Sequence, residues 1–150
     1  MSQNITKMTK DEFIAYAVKT LQKWEGDDII SPWENYAEDV VYTDASRLGK
    51  KTFRNRKEHM EEFTQPFLGL SDLKLEVQDA VAEGNRVVVL HLWSALHDKG
   101  PFDGIPPTGK RLKCFVTSWM WFNDDGKIIR QVDVYNRETI AQQLCDGNYE

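Results

Sequence analysis

A chain of 150 residues, 41% hydrophobic and 29% charged, is long enough to bury a core and has the make-up of a soluble globular protein, read as one domain over residues 1–150. Its formal net charge of −5 argues against non-specific nucleic-acid binding, and no apolar run is long enough to span a bilayer. The polar N-terminus lacks the apolar stretch of a signal peptide, and Cys114 and Cys145 have neither disulfide-framework nor metal-site spacing, so a cytoplasmic chain without a metal is expected.

In chain order, Thr9-Lys10-Asp11-Glu12 is a capping box. Phe13, Ala17, Leu21 and Trp24 follow at helical spacing, predicting a helix with one buried face that ends before Gly26. Ser31-Pro32-Trp33-Glu34 predicts a second, short helix with Ser31 as its cap, before the strand signal Val40-Val41-Tyr42-Thr43. The basic run Lys50 to Lys57 reads as a solvated loop and helix start rather than a phosphate site. Asn55 caps a predicted third helix through Met60 and Phe63, stopping before Pro66.

From Leu73 the pattern changes to period two. Leu73, Leu75 and Val77 alternate with polar residues, Glu83-Gly84-Asn85 turns the chain, and Val87 to Leu96 is apolar on both faces, as a central strand would be. Gly104-Ile105-Pro106-Pro107-Thr108-Gly109-Lys110 is a stiff loop, because two prolines lock two φ angles and remove two donors. Leu112 to Phe122 is another long strand, joined by the turn Asn123 to Gly126 to the strand Ile128 to Tyr135. Asn136 caps a last helix through Leu144. Helices first, then a hairpin-linked antiparallel sheet, then a helix is an α+β order.

No local catalytic motif is present, so a site would be assembled from distant polar residues on otherwise apolar strands, where an unpaired polar group is costly. Asp133 is in phase with Gln131 and Tyr135; facing inward it would have a raised pKa suited to proton transfer, and facing outward it would be an ordinary solvated carboxylate. His97 could exchange protons near neutral pH. His91, in phase with Trp93 and His97, reads as a hydrogen-bonded core or pocket residue. Tyr42 and Asp44 share one face of the first strand. Trp93, Phe115, Trp119 and Tyr135 are strand aromatics that could line a pocket for a flat apolar ligand or serve as core.

The segment Phe102-x-Gly104-Ile105-Pro106-Pro107-Thr108-Gly109-Lys110, a strand, Asp125-Gly126-Lys127-Ile128, a second strand and a short Leu/Gln-rich helix together resemble the SnoaL-like polyketide cyclases of the NTF2-like superfamily. The specific part of the resemblance covers roughly Gly100 to Leu144. It implies an NTF2-like cone, a curved antiparallel sheet wrapped around a long N-terminal helix, with a deep apolar pocket. It implies a cofactor-independent enzyme that moves a proton next to the carbonyl of a polyketide-, terpenoid- or steroid-like molecule, through an enolate, toward cyclisation, isomerisation or dehydration.

The family's acid/base aspartate falls at Asp133. Its usual Glu-His-Trp before that residue is here Arg130-Gln131-Val132, and its histidine before the Pro-Pro loop is matched by His97 with a one-residue insertion. The wider superfamily often places an acid at the position of Asp44, which paired with Asp133 would suit an epoxide hydrolase. A non-catalytic binding or assembly module is the other alternative. The superfamily's habit of pairing sheets implies a homodimer, with Trp119/Trp121 or Met120/Phe122 at the contact.

Overall fold

The computed structural model describes residues 4–46 and 51–146. Helix α1 (Lys10–Gln22) opens with the capping box, both of its reciprocal bonds formed, and buries Phe13, Ala17 and Leu21. A single turn of 3-10 helix (Ser31–Asn35) follows. Its cap is not Ser31: Asp28 Oδ1 accepts the N–H of Ile30 at 3.0 Å and of Ser31 at 2.9 Å, a carboxylate being well suited to take two orphan donors.

The strands are β1 (Tyr36–Ala45), β2 (Lys51–Arg54), β3 (Leu70–Glu83), β4 (Arg86–His97), β5 (Arg111–Phe122) and β6 (Ile128–Tyr135). The basic run, expected as loop, supplies β2, which pairs with β1 as a sheet edge. Lys50 lies outside the described residues. The third helix is a short turn α2 (Arg56–Glu58), capped by Asn55, that widens into a π turn over His59–Phe63. Helix α3 (Arg137–Asp146) closes the described chain, with Asn136 capping it through Glu138 N–H at 3.0 Å.

The molecule is α+β, and its described residues form six strands in the order β2-β1-β6-β5-β4-β3. Sequential hairpins make β3 to β6 antiparallel, but β1 pairs with β6 in parallel. That pair joins residues far apart in sequence, so no turn signal announces it. Register shifts between Ser71 and Lys74, between Val77 and Asp79, and between Trp121 and Phe122 mark bulges, which bend and twist a sheet.

The concave face carries two apolar clusters. One joins Phe13, Ala17 and Leu21 of α1 to Val87, Val89, Met120 and Phe122. The other gathers Leu70, Leu73, Phe102, Leu112, Ile140 and Leu144 around α3. Strand β5 states the alternation plainly: Leu112, Cys114, Val116, Ser118, Met120 and Phe122 are buried, while Phe115 is 61% exposed. Burial of Met120 and Phe122 removes them as candidates for a contact between copies.

Candidate active site

Between the two clusters the concave face opens into a cavity of about 120 Å³. Strand alternation decides what its wall contains. Tyr42, His91, Trp93, Gln131, Asp133 and Tyr135 all line it. Phe115 and Trp119, expected as pocket residues, occupy the odd positions of β5 and stand on the opposite face.

Asp133 is the carboxylate of the cavity. Tyr42 donates its hydroxyl to Oδ2 at 2.6 Å, and Gln131 donates Nε2–H to Oδ1 at 3.0 Å. Ser118 is its cross-strand partner on β5. Burial raises the Asp133 pKa above the ordinary carboxylate value, the neighbouring Tyr42, Gln131 and Ser118 pull it back, and the nearby Asp44 charge adds to the rise. An ionised carboxylate has about four lone-pair sites, so two donors leave room for a substrate proton.

A second tier holds these donors in place. Gln131 Oε1 accepts from Tyr36 at 2.7 Å, and the Tyr36 oxygen accepts from Trp24 Nε1–H at 3.4 Å. This chain orients the Gln131 amide so that its N–H end faces Asp133. Gln131, standing where the histidine was expected, is therefore a positioning residue. Ser118 Oγ meets His91 Nε2 at 3.0 Å, and burial lowers the His91 pKa to about 4, keeping the ring neutral at physiological pH.

Along β6 lies Tyr135. Its hydroxyl donates to Asp44 Oδ2 at 3.1 Å and accepts from Arg137 Nη1 at 3.4 Å. Asp44 is thus joined to the wall through Tyr135 rather than forming part of it, which separates it from the two-carboxylate arrangement of an epoxide hydrolase. Arg137 pairs with Asp103 of the Pro-Pro loop and sits over the Phe102 ring at 5.4 Å. Cys114 also lines the cavity, but burial pushes its thiol up to about 12, which makes it inert.

His97 is placed elsewhere. It is fully buried, its Nε2 is 2.9 Å from the Gly100 carbonyl, and its Nδ1 accepts the Thr108 N–H at 3.3 Å. Accepting at Nδ1 puts the ring proton on Nε2, which donates to Gly100, so both nitrogens are spent on the loop. The expectation of a proton-transfer role for His97 is corrected: it latches the Pro-Pro loop to the end of β4.

Ser118 and Arg137 were not singled out from the sequence. Ser118 had a signal, a lone hydroxyl on the buried face of an apolar strand. Arg137 had a weaker one: a cation in the first helical turn, where the helix dipole favours acids, needs a local reason. Among the described residues no cluster of three or more His, Cys, Asp or Glu is placed to hold a metal ion. No helix there is long and apolar enough to cross a membrane.

The model of a family described as SnoaL-like polyketide cyclase matches residues 17–144. A comparison with curated proteins gave no match. Among solved structures the chain is similar to AclR of Streptomyces galilaeus, a candidate hydroxylase, at 23% identity, TM-score 0.75, covering 92% of this chain and 98% of that one. It is similar to IdmH of Streptomyces antibioticus, a candidate polyketide cyclase, at 21% identity, TM-score 0.69 and coverage of 87% and 96%. A protein of Catenulispora acidiphila with a ketosteroid isomerase-like fold matches at 14% identity, TM-score 0.68 and coverage of 91% and 94%. At these identities the structural likeness establishes the fold, an NTF2-like cone.

Proposed function

Because the chain belongs to the SnoaL-like polyketide cyclase family, we propose that it is a cyclase-type enzyme in which Asp133 is the base toward an apolar carbonyl compound. The observation that carries this reading is a carboxylate sunk in an apolar cavity, held by two donors with acceptor sites left over. Asp133 takes a proton from the carbon next to a ketone. The C–H electron pair becomes the C=C bond of the enolate, the carbonyl π pair moves onto oxygen, and the Arg137 guanidinium in the cavity wall stabilises the charge formed there. Attack of the enolate carbon on a second carbonyl of the same molecule closes a ring; the alkoxide formed takes back the proton that Asp133 removed.

The test is exchange of the α-protons of 1-tetralone into D2O, followed by NMR. The expected result is acceleration by the wild-type protein and a loss of about 10²–10⁴-fold in Asp133→Asn with unchanged circular dichroism. Equal rates in the two proteins would remove Asp133 as the base.

The same reading includes a homodimer formed through the convex face of the sheet. Leu90, Phe115 and Val134 are exposed there, beside Trp119 and Trp121 stacked at 6.4 Å. An apolar patch of this kind on a sheet face suits a self-complementary two-fold contact.

A further inference from the structure

The loop between β4 and β5 carries a hairpin of four residues. Phe102 and Ile105 exchange both backbone hydrogen bonds at 3.0 Å, and Asp103 and Gly104 between them have φ angles of 51° and 76°. A two-residue connection of the I′ type needs positive φ at both central residues, and Asp-Gly meets that need at low cost. The turn parts two neighbours. Phe102 is 1% exposed and lines the cavity, while the Asp103 carboxylate reaches Arg137 on α3.

Arg137 stands in the first turn of α3, where the helix dipole repels a cation. Its side chain is nonetheless only 13% exposed, and it lines the cavity. Three contacts hold it. Nη2 pairs with Asp103, Nη1 donates to the Tyr135 hydroxyl at 3.4 Å, and the guanidinium lies over the Phe102 ring. Tyr135 is itself fixed, because its hydroxyl donates to Asp44 at 3.1 Å.

Of the three contacts only that with Asp103 is an ion pair. The hydroxyl bond is long and the ring makes no hydrogen bond, so the ion pair is the strongest hold. Against it stand the many rotamers of an arginine and the water outside the rim. Asp103 therefore decides whether the guanidinium stays in the wall.

We propose that Asp103 is a positioning residue: from the hairpin tip of the Pro-Pro loop it holds the Arg137 guanidinium in the cavity wall, where that cation meets the charge of the enolate. The role in catalysis rests on the reading of Asp133 as base; the hold on Arg137 does not.

The sign of the effect separates positioning from plain electrostatics. Asp103 is an anion beside the site. Deleting its charge with the guanidinium fixed in place would favour a negative transition state and speed the reaction. Deleting its charge and releasing the guanidinium slows it.

The test variant is Asp103→Asn, which removes the charge and keeps the turn, because Asn accepts positive φ as Asp does. Its circular dichroism should match wild type. The first readout is nitrogen-15 NMR of the arginine side chains in the whole protein, with the Arg137 signals assigned by their loss in Arg137→Lys. A held guanidinium turns slowly about its Nε–Cζ bond and gives two Nη signals; a released one gives a single averaged signal. Two signals are expected in wild type and one in Asp103→Asn. The second readout is the 1-tetralone exchange. Asp103→Asn is expected to lose about tenfold in kcat while KM changes by less than about twofold, as when an interaction made in the transition state is lost. Two Nη signals in the variant, an averaged signal in wild type, or a variant kcat equal to or above wild type overturns the proposal. A raised KM at constant kcat does so too, since it makes Asp103 a rim residue that only admits the ligand. Wild-type protein without exchange sinks the base role alone, and the NMR then decides the hold on Arg137.

Discussion

Tyr42 on β1 donates a 2.6 Å hydrogen bond to Asp133 on β6, across 91 residues of sequence and one parallel strand pair. That bond stabilises the ionised carboxylate and opposes the rise that burial imposes on its pKa. Tyr42→Phe should therefore move the acidic limb of the exchange rate to higher pH while leaving the plateau above it nearly unchanged. A pH–rate profile with an unmoved acidic limb would show that the bond does not tune Asp133.

Asp133 has a further consequence for stability. Its folded pKa is raised, so the folded state binds more protons than the unfolded chain at pH values above the ordinary carboxylate value. The associated stability is complete below that value and is lost as pH rises through the folded pKa. Asp133→Asn should melt at a higher temperature than wild type at pH 7. The gap should close as pH falls toward 4; a variant less stable than wild type at pH 7 contradicts the burial argument.

His91 runs the other way. Burial lowers its folded pKa to about 4, below its unfolded value of about 6.5. The unfolded chain then binds the extra proton first, and stability falls as pH drops through that window. Thermal melts of His91→Phe should decline less steeply between pH 6.5 and 4 than those of wild type. Parallel curves would mean that the imidazole is solvated.

Gly69 accepts the N–H groups of Lys99 and Gly100 on its carbonyl, at 3.0 and 3.3 Å. A Cβ there would stand 2.6 Å from the carbonyl oxygens of Gly100 and Pro101, which are backbone atoms and cannot swing away. Gly69→Ala should cost about 1–3 kcal/mol in a denaturant melt. A smaller loss would show that the segment before the Pro-Pro loop shifts at little cost.

Phe115, with 61% of its surface exposed at the centre of the convex face, is the residue to charge. Light scattering should give a dimer for wild type at micromolar concentration and a monomer for Phe115→Glu, with α-exchange retained in both. A wild-type monomer would reject the two-fold contact.

The capping box on α1 and the Asp-Gly turn into β6 are local, and they are legible because each is completed within a few residues. The same is true of the Pro-Pro loop, although its latch is not. His97 looks like a proton carrier in sequence, and only the packing of the loop against β4 shows that Gly100 and Thr108 take both of its nitrogens.

By itself the sequence determined the α+β order, the family, and the alternation of Gln131, Asp133 and Tyr135 along β6. Period-two patterning names two faces without saying which one meets the core, and β5, apolar on both, is where that matters. The tertiary structure decided it: bulges curve the sheet around α1, which turns Ser118 inward and Phe115 and Trp119 outward. It also decided the company of Asp133. Tyr42, Ser118, His91 and Arg137 come from four other elements, and a hydrogen bond between distant elements leaves no periodicity in either.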